Sequence, residues 1–269
     1  PAMPRLPLAL LAAALPLLPA MPPRAVAADT PATAPAQACP NPRPGRYAVM
    51  GMGTRNGLNS PIPTAHLMEE RWLEGGRVQG TRVERLGRNQ RVSAYGGQLR
   101  LKPSCVVEVE RQLAWGLERS EVVIDGRGRP LYSINRSPGS VVTSRWLPMA
   151  PGSCQVGDLN GLVLSSQEGL SWIQGGWSPN AVVQREQWSQ GSVQGLALSS
   201  TNGVGETAGY NGQLQLDPNS CWGNLQERDA TGQSYSYRAL IVNGRRGARG
   251  YFYLQRDPDD LTVGWLVRD

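Results

Sequence analysis

The sequence predicts an all-β protein built from two tandem antiparallel β-barrels of about eight strands each, with two β-sandwiches as the alternative. Three observations carry that expectation. One series of motifs recurs in the same order at offsets of 115 to 120 along the 269-residue chain. Apolar and polar residues alternate with period two in short runs ending in Asp-Gly or Asn-Gly, the pattern of strands and hairpins. Composition agrees, because 32 Gly and 22 Pro with only 18% charged residues favour a turn-rich sheet protein over a charged helical bundle.

Residues 1–27 read as an export signal. Arg5 precedes an apolar run from Leu6 to Leu18, and Ala25-Val26-Ala27 follows in the small-residue pattern of a signal-peptidase site. Thirteen residues interrupted by Pro7 and Pro16 fall short of the ~20 that span a bilayer, so no transmembrane segment is expected after signal removal. Residues 28–38, rich in Ala, Pro and Thr, read as a tether. The expected location is secreted or periplasmic, in the cell envelope.

Two copies follow, over 39–150 and 151–269. Tyr95-Gly96-Gly97-Gln98-Leu99-Arg100-Leu101 returns as Tyr210-Asn211-Gly212-Gln213-Leu214-Gln215-Leu216. Before it, Trp72 and Val78-Gln79-Gly80 return as Trp188 and Val193-Gln194-Gly195. After it, Glu110-Arg111 matches Glu227-Arg228, Ile124-Asp125-Gly126 matches Val242-Asn243-Gly244, and Arg136 through Trp146 matches Arg256 through Trp265. A repeat of this length points to duplication. Each copy holds two cysteines, 66 and 67 residues apart, so of the three possible pairings the repeat selects Cys39–Cys105 and Cys154–Cys221. In an exported chain such cysteines are structural disulfides.

Within each copy the strands are read from alternation. Gln98-Leu99-Arg100-Leu101, Gln213-Leu214-Gln215-Leu216 and Val107-Glu108-Val109-Glu110 each turn one face to a core and the other to water. Asp125-Gly126 and Asn243-Gly244 sit between apolar runs and are expected to form type I′ hairpin turns. The segments Tyr95–Arg145 and Tyr210–Val267 share a Tyr-x-Gly-x-Leu strand, a cysteine closing the next turn and an apolar strand ending in Asp-Gly or Asn-Gly; the first copy adds a terminal Pro138-Gly139-Ser140-Val141-Val142-Thr143. In these features the chain resembles small secreted bacterial β-domains of calycin-like or allene-oxide-cyclase-like barrel form. The second copy departs at Pro258-Asp259-Asp260-Leu261, which lacks the glycine. The resemblance implies an exported barrel and no established catalytic residues.

The residues offer little chemistry. His66 is the only imidazole, it lacks a counterpart in the second copy, and it reads as a surface or turn residue rather than a catalytic base. Glu69-Glu70, Glu108 with Glu110, and Asp257 with Asp259-Asp260 are the carboxylate clusters, and Glu110-Arg111 with Glu227-Arg228 read as ion pairs or solvated faces. Gly51-Met52-Gly53 and Gly203-Val204-Gly205 lead into no helix and no Lys-Ser/Thr, so they are not phosphate loops. No catalytic residue, metal or cofactor is expected.

Charge is divided unevenly. Residues 39–150 carry 17 Lys and Arg against 9 Asp and Glu, net +8, while residues 151–269 carry 8 against 11, net −3. Arg82, Arg85, Arg88 and Arg91 recur every three residues and are the candidate anion-binding set, directed at an anionic polymer or envelope glycan through the first copy. Trp72/Trp188 and Trp146/Trp265 recur and read as core. Trp115, Trp172, Trp177 and Trp222 lack counterparts and are candidates for a ligand surface, with a small apolar ligand among the possibilities and no specific nucleic acid expected. The functional expectation is a non-enzymatic envelope protein, a binding or surface-interaction module; a carboxylate-dependent enzyme on sugars or lipids and a purely architectural component are the alternatives.

Overall fold

The computed structural model describes residues 39–58, 60–244 and 247–268, so the expected export signal and tether lie outside the described residues. The first barrel consists of β1 (Gly45–Asn56), β2 (Pro61–Trp72), β3 (Arg77–Leu86), β4 (Asn89–Leu101), β5 (Val106–Leu113), β6 (Gly116–Ile124), β7 (Pro130–Asn135) and β8 (Ser140–Met149). The second consists of β9 (Gly161–Ile173), β10 (Gly176–Ser189), β11 (Ser192–Thr201), β12 (Val204–Leu216), β13 (Trp222–Asp229), β14 (Ser234–Gly244), β15 (Gly247–Gln255) and β16 (Asp260–Arg268). Within each barrel every strand pairs antiparallel with its sequence neighbour, and β1 with β8 and β9 with β16 close the two meanders. Closure satisfies the strand edges that an open sheet would leave unpaired.

Alternation builds both interiors. On β5, Val107 and Val109 are buried inside while Glu108 and Glu110 face outward, where they pair with Arg100 and Arg119. No helix among the described residues is long and apolar enough to cross a membrane. Tyr47 and Trp72 each pack edge to face on Trp146 and tilted against one another, with ring centroids 5.4 to 6.1 Å apart. Such aromatic pairs contribute about 0.5–1.5 kcal/mol each beyond their buried area. A cross-strand Gly–Tyr pair recurs in both barrels, Gly80 with Tyr95 and Gly195 with Tyr210. A Cβ on either glycine would lie 2.5 Å or less from the tyrosine, so the ring can cross the barrel only above a glycine.

Both disulfides form as expected, Cys39–Cys105 and Cys154–Cys221, with Cα separations of 5.0 and 4.7 Å. The two hairpins differ from expectation. After β6 the chain makes a five-residue loop in which Asp125 accepts from the Arg127 and Arg129 amides, and the positive φ falls on Gly128 rather than Gly126. Asn243 and Gly244 belong to β14 and pair with Ala248 and Gly247, so they precede the turn.

Strand register also corrects two of the matches between copies. Gly97 pairs with Arg111 and its equivalent Gly212 pairs with Glu227, so Glu227 stands where the first barrel has Arg111. The residue inserted before Cys221 hides this in the sequence, because counting from the cysteine restores the match. Likewise Arg145 pairs with Tyr132 and Trp265 with Phe252, which equates Trp265 with Arg145 and leaves Trp146 matched by Leu266.

The barrels pack side by side through different walls. The outward side chains Ala48, Ala65, Leu67 and Val83 of β1–β3 join one apolar cluster with Leu240, Phe252, Leu254 and Leu261 of β14–β16. Arg85 is fully buried at the edge of this seam and donates to the carbonyls of Gln255, Asp257 and Pro258 at 3.0, 2.8 and 3.0 Å. Arg145 stacks over Trp265 at 4.0 Å on the other side.

Candidate functional site in the second barrel

Both interiors start from one frame. On β2, Glu70 accepts from Trp72 Nε1 at 2.8 Å and from the Tyr95 hydroxyl at 2.7 Å. On β10, Glu186 accepts from Trp188 Nε1 and the Tyr210 hydroxyl, both at 2.7 Å. Period-two geometry places Glu and Trp two residues apart on the same inner face.

Around that frame the first barrel is filled by charge. Arg111 donates to Glu70 at 2.5 Å. Further along, Arg82 bridges Glu118 and Glu84 at 2.5 and 2.6 Å, Arg55 reaches the same two carboxylates, and Arg91 pairs with Glu84. Burial alone would raise Glu118, but Arg82, Arg111 and Arg55 together offset it and hold its carboxyl below the ordinary value. His66 lies inside this network, against the expectation of a surface residue, because β2 turns its even-numbered side chains inward. Its Nδ1 is 3.2 Å from Arg82 Nη2 and its Nε2 is 3.2 Å from Ser144 Oγ. A guanidinium only donates, so Nδ1 must accept and Nε2 carries the proton toward Ser144. That is the wrong polarity for a base activating a serine. Burial and the neighbouring arginines push His66 well below the usual histidine range, so it stays neutral.

The second barrel replaces these groups by smaller ones. The cross-strand pairs His66–Glu84 and Met68–Arg82 correspond to Val182–Ser199 and Gln184–Ala197. The side chains lost there open a cavity of about 330 Å³, lined by groups including Gln167, Gln184, Ala197, Tyr210, Glu227 and Tyr237. Gln184 accepts from Ser165 at 2.7 Å and from the Tyr253 hydroxyl at 3.1 Å. Buried Gln167 leaves its Oε1 without a partner among the described residues, an open acceptor in the wall of the cup. At the rim, Asp260 accepts from Ser171 at 2.6 Å, and burial raises its carboxyl.

The floor of the cup carries the electrostatic difference. Glu186 faces Glu227, not an arginine, and both are buried. Burial pushes Glu186 up, opposed by its hydrogen bonds from Tyr210, Trp188 and Tyr251. Burial and the Glu186 charge push Glu227 well above the carboxylate range, opposed by the Tyr237 hydroxyl. Three donors hold charge on Glu186, so the proton resides on Glu227, a carboxylic acid that can donate into the cup. The residue signal for this site was present as Glu227, but reading it as the partner of Glu110 set it on the outer wall.

The arginines singled out from sequence do not form one surface. Arg82 and Arg85 are fully buried and engaged, Arg88 pairs with Asp259 at 2.7 Å in the inter-barrel seam, and Arg91 stacks on Trp115 at 3.9 Å. The tryptophans are dispersed as well. Trp172 and Trp177 meet edge to face at the β9–β10 hairpin, whereas Trp222 is buried beside Arg238. A different set of arginines converges. A cleft of about 930 Å³ beside the inter-barrel linker is lined by Arg43, Arg127 and Arg249, with Arg46 and Arg71 held by Glu69 and Arg129 by Asp125. No cluster of potential metal ligands occurs among the described residues. No protein-family model matches the chain, and no curated protein matches it.

Proposed function

We propose that the chain is an exported cell-envelope binding protein of the calycin-like or allene-oxide-cyclase-like barrel kind, in which the first barrel is scaffold and the second takes up a small, neutral, hydroxyl-bearing molecule. The observation that carries this reading is the exchange of Arg111 for Glu227 in a barrel that has also lost the side chains filling its sister. A cavity with convergent polar groups and perturbed carboxyls is the usual mark of a ligand site. Glu227 supplies a donor, Gln167 an open acceptor, and the Tyr237 ring an apolar face for carbon-bound hydrogens. Binding fits better than hydrolysis. Glycoside cleavage uses two carboxyl groups that both reach the bond, and Glu186 is enclosed by its three donors.

The test is titration of the full chain with neutral mono- and disaccharides and polyols, followed by tryptophan fluorescence and thermal shift. Ala197→Arg, which refills the cup, is expected to abolish binding. Glu227→Gln keeps a donor and is expected to retain binding while removing its decline at rising pH. Binding that survives Ala197→Arg would place the ligand outside the cup and reject the reading. Release of reducing sugar from a glycoside, lost in Glu227→Gln, would favour the enzyme instead.

The arginine cleft supports a second reading, an anionic partner held between the barrels. No acidic residue is among the described residues lining it. Exposed guanidinium groups recognise phosphate, sulfate and carboxylate bidentately. Retention on heparin that falls with salt, and falls again in Arg43→Gln/Arg127→Gln/Arg249→Gln, is the expected result; unchanged retention in the triple variant removes the reading.

A further inference from the structure

The seam between the barrels joins walls that are not equivalent, so each barrel has a second wall of the kind its sister uses. Counting from the cysteines, Val106 pairs with Val123 where Trp222 pairs with Leu240. From there Tyr132 corresponds to Phe252, Ile134 to Leu254 and Val141 to Leu261. The set on β14–β16 is sealed in the seam, with Leu240, Phe252, Leu254 and Leu261 at 0, 1, 0 and 0% exposure. Its counterparts on β6–β8 are open, with Val123, Tyr132, Ile134 and Val141 at 52, 56, 37 and 68%. The opposite wall shows the same relation. Leu67 pairs with Val83 in the seam, and the equivalent pair, Val183 with Leu198, is 51% exposed at each residue.

We propose that the protein associates with further copies of itself head to tail, the β6–β8 wall of one copy seating on the β9–β11 wall of the next and repeating the contact that already joins its two barrels. Apolar side chains at the positions that make the internal seam are the shape argument. Charge agrees, because each such junction sets a barrel of net +8 against one of net −3, as the internal seam does. The contact is heterologous, so it leaves one free wall at each end and generates open chains or closed rings. It lacks one element. Arg85, which clamps the β15–β16 turn, corresponds to the exposed Ser200. The junction between copies is therefore weaker than the internal one and reversible with dilution.

Sedimentation velocity of the full chain over a wide concentration range tests this. Wild type is expected to sediment faster as concentration rises. Tyr132→Glu and Val183→Glu, each on a solvent-facing wall and each damaging one half of the junction, are expected to weaken association by about tenfold or more. Mixed in equal amounts, the two variants retain one intact junction and are expected to form a two-chain complex that does not grow. Ser200→Arg supplies the missing clamp and is expected to strengthen association. A concentration-independent monomer overturns the proposal. So does a dimer that either single variant still forms alone, since that dimer would be built from one wall meeting itself, and so does a mixture of variants that stays monomeric.

Discussion

In the first barrel Glu70 meets Arg111, and in the second the same two positions hold Glu186 and Glu227. Around the first pair stand Arg82, Glu84, Glu118 and His66; around the second stand Ala197, Ser199, Tyr235 and Val182. The strands, the Trp, the Tyr and the glycine beneath it are unchanged. A barrel wall fixed by backbone pairing thus tolerates opposite contents. A network of paired charges leaves no room for a guest, whereas removing its cations leaves a cavity and a protonated carboxyl on Glu227.

The largest expected effect separates the two. Arg111→Met strands the buried Glu70 carboxylate, and breaking a buried pair from one side costs about 3–5 kcal/mol. Urea denaturation of the full chain should show that loss. A cost below about 1 kcal/mol would mean water reaches Glu70 and would dissolve the contrast between a closed and an open interior.

The pH dependence should run in opposite directions. In the first barrel His66 and Glu118 have folded values below their unfolded ones, so stability is present above the unfolded values. It is lost as pH falls, beginning near the ordinary histidine value of 6.5 and continuing through the carboxylate range. In the second barrel Glu186 and Glu227 are raised. There the unfolded chain ionises first, and stability falls as pH rises from the ordinary value of 4.5 toward the folded values. Each differing proton gives a slope of about 1.4 kcal/mol per pH unit. Thermal unfolding across pH should show two limbs, and Glu227→Gln should flatten only the alkaline one. Flattening of neither limb would place the excess proton elsewhere.

A smaller effect sharpens the cavity itself. Ala197→Arg places a guanidinium where Arg82 sits in the sister barrel, but no Glu84 equivalent waits for it. The cup has room for the side chain, so the cost is that of a guanidinium without its carboxylate, about 1–3 kcal/mol where the open mouth lets water reach it. Adding Ser199→Glu should recover stability, because it rebuilds the Arg82–Glu84 pair. A double variant no more stable than the single would show that the two interiors are not interchangeable at these positions.

The barrels, their number and both disulfides could be read from the repeat, because period-two alternation and paired cysteines are local signals. The cup could not. Its volume comes chiefly from Arg82 and Glu84 of β3 giving way to Ala197 and Ser199 of β11, with Val182 in place of His66, and no local pattern marks an absence. The candidate arginines are dispersed for a related reason. Spacing of three puts successive side chains on opposite walls, and the inward wall buried Arg82 while the seam buried Arg85. His66 reads as a turn residue because Pro61 and Pro63 stand just before it, yet those prolines lie in the first three residues of β2.

The smallest predicted effect tests the register of β5 itself. Glu110 and Arg111 are neighbours on β5 with opposite facings: Glu110 pairs with Arg119 on the outer wall, both more than a third exposed, while Arg111 is 1% exposed inside. A one-residue slip exchanges those walls. Matching Glu110 to Glu227 therefore moved a buried acid to the surface. If register decides, Glu110→Gln should change stability by only about 0–1 kcal/mol, the range of exposed ion pairs, beside the several kcal/mol of Arg111→Met. Its equivalent by register, Gln226, is already uncharged and outward, donating to Ser236 at 2.9 Å, so Gln226→Glu should be equally mild. Urea midpoints for these outward variants that shift as far as that of Arg111→Met would mean the outer wall carries the structural charge. The match between Arg111 and Glu227, and the proton placed on Glu227 because of it, would fall with that result.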